Sequence, residues 1–536
     1  MNTPKATINV SDYTQTASTP SGMEVYVSGV TRRGPVNDPS QSFDTYEKYV
    51  RVFGGAAPVS MFGNPDDPAK DFHIYVQRLF QYGARLRVNR IVHNTGENIT
   101  NPVKAAEPIF GMLTDTNGGT PVKVFSMQPK YPGADYNGIK AVISPSSNGN
   151  KSAFNLDIVW PAYPEYSESY QNIPYPSLTK AVSDQTYLDQ VMRLSQLVEF
   201  TYMDFNASSL DSTKLLVKMD DTATFAGGSD GDTVTNADFI GDDMGTGISA
   251  FDQVQGGMII AFPGVYEGTV QAKGIAYATQ RQDMVYMGSW QVTPNTYEKD
   301  ITDKDTSVGD TKQAIISCGG IKILDANTNK KVVISEIADV IGLCVTTFNN
   351  RGAWYDPASN QSASILNAIG VGYNFGTPAL KNALNDLANH GINAVVSDAG
   401  VIQWTSSYTS QKTDSVLSFG SGMFLMLYMK ATIMPILRNH LNEPCDTVTF
   451  KSIYRQLKPF LDTLASTQNR ALWQYEYLGD QDASSLNDLT VNSKEDVQIG
   501  KYKIFLKLWV IVPLIDITLN MMLVMGDGEV GIEITE

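Results

Sequence analysis

Both ends of this chain read as isolated β-strands, and that constrains the fold more than anything between them. Ala6, Ile8 and Val10 alternate with Thr7 and Asn9, a two-residue period that predicts a strand. A polar stretch, YTQTASTPSG, tethers it to the next apolar run at Met23–Val30. At the other end Asp527-Gly528 turns the chain, and Val530, Ile532 and Ile534 alternate towards the last residue. A lone strand leaves backbone N–H and C=O groups unpaired. Each end must therefore pair, either within its own fold or by strand addition to a neighbouring copy. The pattern alone leaves both open.

The 536 residues give room for three or four domains, and 42% hydrophobic content suffices for real cores. With 40 basic and 56 acidic residues the net charge is −16, a poor fit to sequence-independent nucleic-acid binding or an anionic membrane surface. Cysteines 318, 344 and 445 have neither CxxC nor metal-ligand spacing, so no disulfide framework, no zinc ribbon and a reducing compartment are expected. The start, MNTPKATINV, has no apolar h-region, so no signal peptide is expected. The apolar stretches 508–515 and 423–437, the second carrying Lys430 and Pro435, fall short of the roughly 20 residues of a membrane span.

Along the chain, Asp67-Pro68 reads as a helix start, with Phe72, Val76 and Leu79 at helical spacing, Gly83 as the stop and 86–92 as a strand. From about 94 to 371 short alternating runs sit between Gly/Asn/Ser/Asp turns, examples being 122–127, 138–144, 154–160, 258–262 and 332–337. A helix at about 183–201 and long surface loops at 226–247 and 295–312 are expected there. From 377 regularity returns. Thr377-Pro378 starts a helix that stops at Gly391, a strand follows, and 423–440 and 448–466 are helical, with Pro435 and Pro459 expected to bend or end them. Residues 502–510 and 515–523 alternate strongly. No repeat at a fixed period is present.

No pattern carries catalytic chemistry. Gly245–Ala250 fits GxGxxA spacing, but IGDDM replaces the apolar strand that a dinucleotide fingerprint needs. The 227–232 loop lacks the alternating acids and closing Glu of a calcium loop. There is no phosphate loop, no GxSxG and no HExxH, and four histidines leave little for histidine catalysis. Carboxylate chemistry stays open on this evidence, and no catalytic, cofactor-binding or metal-ligating residue is singled out. One charged feature stands out. Lys451, Arg455 and Lys458 fall at i, i+4 and i+7 on a helix whose other face carries Ile453, Leu457, Phe460 and Leu464. Such a stripe is either a solvated helix face or a dock for an acidic partner.

Several segments, taken in order, resemble the contractile tail sheath proteins of bacteriophages. VYVSGVTRRGPVNDP resembles the family's strand and "RGP" turn, and FGG at 53–55 its "FG" element. FHIYVQRLFQYGARLRVNRIV is similar to its helix, glycine turn and strand. MQPKYPGADYNGIKAVI, FAGGSDG, FPGV with RQDM, RGAWYDPASN and HGINAVVSDAGVIQW resemble further elements, with small departures at Asp135–Asn137 and Ser359. LRNHLNEPCD stands where the family often has an arginine pair and a Phe-Glu-Pro-Asn element.

The resemblance implies a mixed α/β (α+β) multidomain fold: an inner α/β core with inserted β-rich outer lobes and extended terminal β-arms. The implied division is an N-terminal arm and linker at 1–22, outer lobes at 23–371 with 94–215 an inserted β-rich subdomain, a tube-facing core at 372–525, and a C-terminal arm at 526–536. It implies a structural subunit that polymerises as hexameric rings in a helical sheath around a tail tube, and contracts to drive the tube through the host envelope. Tail tube, baseplate and tail terminator proteins would be its partners, with no direct nucleic acid and no membrane insertion. It would sit in a virion tail assembled in the host cytoplasm. Ala6, Ile8, Val10, Val530, Ile532 and Ile534 become the strand-adding residues, and Lys451, Arg455 and Lys458 the tube contacts. The same architecture serves a bacterial contractile injection system. A secreted β-rich carbohydrate-active enzyme and a fibrous adhesin are readings from other classes.

Overall fold

The computed structural model describes residues 22–36, 51–53, 62, 72–93, 100–149, 153–175, 195–203, 205–219, 223–242, 245–252, 254, 256–325, 329–358, 363–514, 524–525 and 528–529. The fold is mixed α/β, built around one eight-stranded sheet. Its strands are β1 (Glu24–Gly29), β2 (Arg51–Phe53), β3 (Arg85–Arg90), β4 (Gly257–Ala261), β5 (Val285–Ser289), β6 (Ala314–Cys318), β7 (Ile392–Asp398) and β8 (Val401–Trp404). The spatial order is β2-β3-β1-β4-β5-β6-β7-β8. The six inner strands are parallel, and the edge strands β2 and β8 run antiparallel to their neighbours.

Every residue of β1, β4, β5 and β6 is buried, as a parallel sheet covered on both faces requires. Helix α1 (Phe72–Gln81) and α4 (Ile337–Asn350) cover one face, where Val25, Val27, Leu86 and Ile259 meet Val76, Leu79, Ile341 and Val345. Helix α2 (Gly268–Arg281) covers the other, with Tyr26, Ile260 and Tyr286 against Val270, Ile275 and Ala278. Helix α3 (Tyr297–Val308) and α5 (Lys381–Asn389) pack near β7 through Ile301, Ala383 and Leu387. Gly83 ends α1 at φ +72°, a left-handed turn that favours glycine.

Between β3 and β4 the chain leaves this sheet. It forms a four-stranded antiparallel sheet (order 198–202, 122–129, 109–115, 215–219) and a three-stranded one (140–145, 153–159, 168–174). These share a separate core of Phe125, Tyr136, Phe154 and Trp160. The excursion closes where His93 bridges Asp232. The expected boundary at 371/372 runs between β6 and β7, which pair in one sheet. That sheet is collected from distant segments, a long-range property that local periodicity does not carry.

Helix α6 (Gly420–Asn439) and α7 (Thr447–Leu464) follow, and β9 (Leu472–Leu478) pairs antiparallel with β10 (Phe505–Val510). Both helices run through their prolines, so neither Pro435 nor Pro459 ends its helix. Each proline sits in the last turns, and its fixed φ suits a helix. Among the described residues α6 is the one helix long and apolar enough to cross a bilayer, contrary to the shorter stretch expected. Ten of its residues are buried in this structure.

Two more readings change. Residues 297–308, expected as loop, are α3: Ile301, Lys304 and Val308 turn inward, but charge between them hides the period. Val198–Tyr202, expected to end a helix, is a strand paired with 125–129. The Asp67-Pro68 start lies outside the described residues, as does most of the expected helix ahead of Val198.

Candidate assembly surfaces

Helix α7 begins at Asp446, whose carboxylate accepts from Val448 N and Thr449 N at 3.0 and 2.9 Å. Its apolar face, Ile453, Leu457, Leu461 and Leu464, packs on Leu425, Met429 and Ile433 of α6 and on Leu472 and Tyr477 of β9. Lys451, Arg455 and Lys458 consequently lie on the opposite face, Arg455 and Lys458 exposed and Lys451 half-buried. The three are not equivalent. Lys458 Nζ lies 2.6 Å from an oxygen of Asp462, and the other oxygen of Asp462 accepts from Tyr475 OH of β9 at 2.6 Å. The Asp462 carboxyl is lowered by Lys458 and by Tyr475, and the Lys458 ammonium is raised by Asp462. Lys451 and Arg455 make no ion pair among the described residues.

The β9–β10 ribbon has two sides of opposite character. Leu506, Leu508 and Val510 pack on the α6–α7 core, Tyr502 ahead of them stacking on Phe450 at 4.0 Å. The outward side presents Trp473, Phe505 and Trp509, which are 74%, 54% and 43% exposed, around a Lys507–Glu476 ion pair of 2.9 Å. Two strands make a marginal sheet in water. Among the described residues no third strand pairs with either edge.

The long connection between β9 and β10 is held by one carboxylate. Asp480 accepts from the backbone N–H of Thr490, Val491 and Asn492, from Thr490 Oγ1 and from Asn492 Nδ2, all at 2.7–3.0 Å. Burial would raise this carboxyl, but these donors outweigh it and hold it at about 2. Asn492 in turn bonds both backbone groups of Lys503, at 3.0 and 2.7 Å, which leads the chain into β10.

The strand-adding candidates Ala6, Ile8, Val10, Val530, Ile532 and Ile534 lie outside the described residues. Just before the last three, Val524 pairs with Glu529 and Met525 with Gly528.

Motifs far apart in sequence meet at the junction of sheet and excursion. Arg33, fully buried, lies 4.4 Å from the Trp160 ring centre and 4.6 Å from that of Tyr163. Its Nε is 2.8 Å from Asp135, an ion pair without hydrogen-bond geometry. Arg90 donates to the carbonyls of Thr31, Arg32, Gly34 and Pro132 at 2.7–3.1 Å. Asp230 accepts from Ala134 N at 2.8 Å, and Asp232 from Thr100 N and Asn101 N at 2.8 and 3.0 Å. The acids of the 227–232 loop therefore bind backbone N–H groups. Gly247 opens a short 3₁₀ turn, not the long helix of a dinucleotide site.

Open parallel sheets take ligands at the carboxyl ends of their strands. Here Glu336 occupies that position. Its Oε1 accepts from Ser289 Oγ and Ser317 Oγ at 2.7 and 2.6 Å, and its Oε2 from Gly320 N at 3.0 Å. Burial raises its carboxyl. Asp339, one turn on, accepts from Arg78 at 2.7 and 2.6 Å and from Tyr82 OH at 2.9 Å. Both carboxylates tie elements together. The sequence reading missed them, though two acids inside the apolar run VVISEIADVIGLCV are a visible signal. Among the described residues no three His, Cys, Asp or Glu side chains are placed to hold a metal ion.

No family model matches the sequence, and no curated protein matches it. Solved structures do. The sheath tail protein of Desulfitobacterium hafniense superposes with a TM-score of 0.52 at 12% identity, over 94% of this chain and 100% of that one. The sheath tail protein of Listeria innocua gives 0.52 at 11%, over 92% and 96%. The helical sheath of the anti-feeding prophage, in its contracted state, gives 0.51 at 13%, over 97% and 99%. What is shared at these identities is the fold, from near one end of the chain to near the other.

Proposed function

We propose that this chain, whose fold is that of the sheath tail proteins, is a structural subunit of a contractile tail sheath. Hexameric rings of it stack helically around a tail tube, and their rearrangement drives the tube through the host envelope. The observation that carries the reading is the β9–β10 ribbon: two edges that no described strand pairs with, and a wet aromatic face. In this reading the edges accept the terminal strands of neighbouring copies, Ala6, Ile8 and Val10 from one and Val530, Ile532 and Ile534 from another. Each backbone hydrogen bond contributes roughly 0.5–1.5 kcal/mol net. An added strand with about four such bonds holds several kcal/mol, enough to keep copies joined while their globular parts slide.

The tube meets the stripe of Lys451, Arg455 and Lys458, and the excursion between β3 and β4 lies on the exterior. The arms are 1–22 and 526–536, and 372–525 supplies the tube-facing part. Tube, baseplate and terminator proteins are the partners, and no catalytic step is needed because the energy resides in assembly. The setting is a virion tail assembled in the host cytoplasm, where contraction serves genome ejection. The likeness to the anti-feeding prophage sheath favours a second setting, a bacterial contractile injection system, and neighbouring capsid and terminase genes would separate the two. Negative-stain microscopy of the purified full chain tests the reading. Striated hollow tubes are expected, and monodisperse monomers at high concentration would overturn it.

A further inference from the structure

After β6 the chain builds a small surface sheet from strands Ile321–Leu324, Lys331–Ile334 and Gly370–Val371, with Ile321–Leu324 in the centre. Alternation sorts its side chains. Ile321, Ile323 and Ile334 turn into the core that holds α1 and α4. Lys322, Leu324, Lys331 and Val333 turn outward, Lys322 opposite Val333 and Leu324 opposite Lys331. Ile369 and Tyr373 flank the short third strand. Leu324, Val333, Ile369 and Tyr373 are each 48–52% exposed. Lys322, Lys330 and Lys331 are exposed and make no ion pair among the described residues.

Lysines on sheets often guard a free edge against pairing. That explains Lys331, which lies on an outer strand. It does not explain Lys322, on the central strand, where both edges are already paired and the cation is set among apolar side chains. Grouped exposed apolar residues with a cationic rim have the composition of a docking face. The charge of the chain says what would dock. At −16 per copy, copies repel one another at long range unless a basic face of one meets acidic surface of the next.

We propose that the Lys322–Leu324–Lys331–Val333 face binds acidic surface on a second copy of this chain. The inference rests on the self-assembling reading above and adds to it a contact between globular parts, separate from the arms. The apolar side chains supply the buried area, and the three lysines supply register and relief of charge repulsion.

The test uses the full-length chain. Lys322→Glu/Lys331→Glu should raise the concentration needed for assembly at least tenfold, read by pelleting and electron microscopy. Its melting temperature should match the wild type, because neither lysine is buried. In mixed 14N/15N wild-type polymer, carbodiimide should join Lys322, Lys330 or Lys331 to acidic residues of the other isotope. A variant that assembles at the wild-type concentration, or cross-links confined to single copies, would overturn the inference and leave the sheath reading intact. A wild type that never polymerises would overturn both.

Discussion

Asp339 is fully buried on α4, where Arg78 and Tyr82 donate to its carboxylate from α1 and the turn after it. Burial raises this carboxyl and Arg78 opposes that rise. Removing one member of a buried ion pair leaves the other uncompensated, at a cost of about 3–5 kcal/mol. Arg78→Met should lower the urea midpoint accordingly, and adding Asp339→Asn should restore part of it, since a neutral amide tolerates the site. A second residue sets an acid limit. Asp305 lies between Lys304, Lys412 and His390, at 2.8–2.9 Å from each. Burial alone would raise its carboxyl, but the adjacent Lys304 ammonium and the hydrogen bonds with Lys412 and His390 hold it at about 2. An ordinary aspartate titrates near 3.9, so the folded state binds this proton less readily than the unfolded one. The stability this contributes is fully present above about pH 4 and is lost as pH falls through 2. Asp305→Asn should be less stable than the wild type at pH 5 and lose less between pH 5 and pH 2.5. An unchanged acid slope would count against the network.

At the scale of elements, α7 joins a charged face to a packed one and carries the proposed tube contact. Lys458 is already engaged by Asp462, so its reversal removes a local pair as well as a surface charge. Lys451→Glu/Arg455→Glu should therefore weaken co-pelleting with tube protein more than Lys458→Glu, and leave tube-free assembly unchanged. Equal binding by all variants would dismiss the stripe as a solvated face. The element scale is also where the sequence was most readable. The α7 stripe and its apolar counterface follow from a 3.6-residue period alone, and the alternation in 505–510 matches its half-buried and exposed sides residue for residue. Residues 297–308 escaped because only three inward side chains, one of them Lys304, stand among charged neighbours. Val198–Tyr202 escaped because a short mixed run does not declare its period.

For the whole molecule, what the sequence hid is how segments combine. The large sheet takes β1, β2 and β3 from before the excursion and five strands from after it, and no local signal announces that β1 lies beside β4. The junction was half legible. The RRGP turn, the PGADYN segment and the GGSDG loop each stood out in sequence, but only the structure brings Arg33 to Asp135 and Asp230 to Ala134. Assembly belongs to this scale too. Removing residues 1–22, or separately the last ten, should abolish polymer in microscopy while the remaining chain keeps its melting transition. Full-length tubes formed by both truncations would end the strand-exchange account.

Asp462 gives these scales a common point. One of its oxygens meets Lys458 on the outer face of α7, and the other accepts a hydrogen bond from the Tyr475 hydroxyl of the ribbon. A ligand that draws Lys458 away takes from that carboxylate its cation and leaves it the Tyr475 hydroxyl, a bond that strengthens when the competing donor goes. The outer face of α7 and the β9–β10 ribbon thus share one side chain as a common anchor.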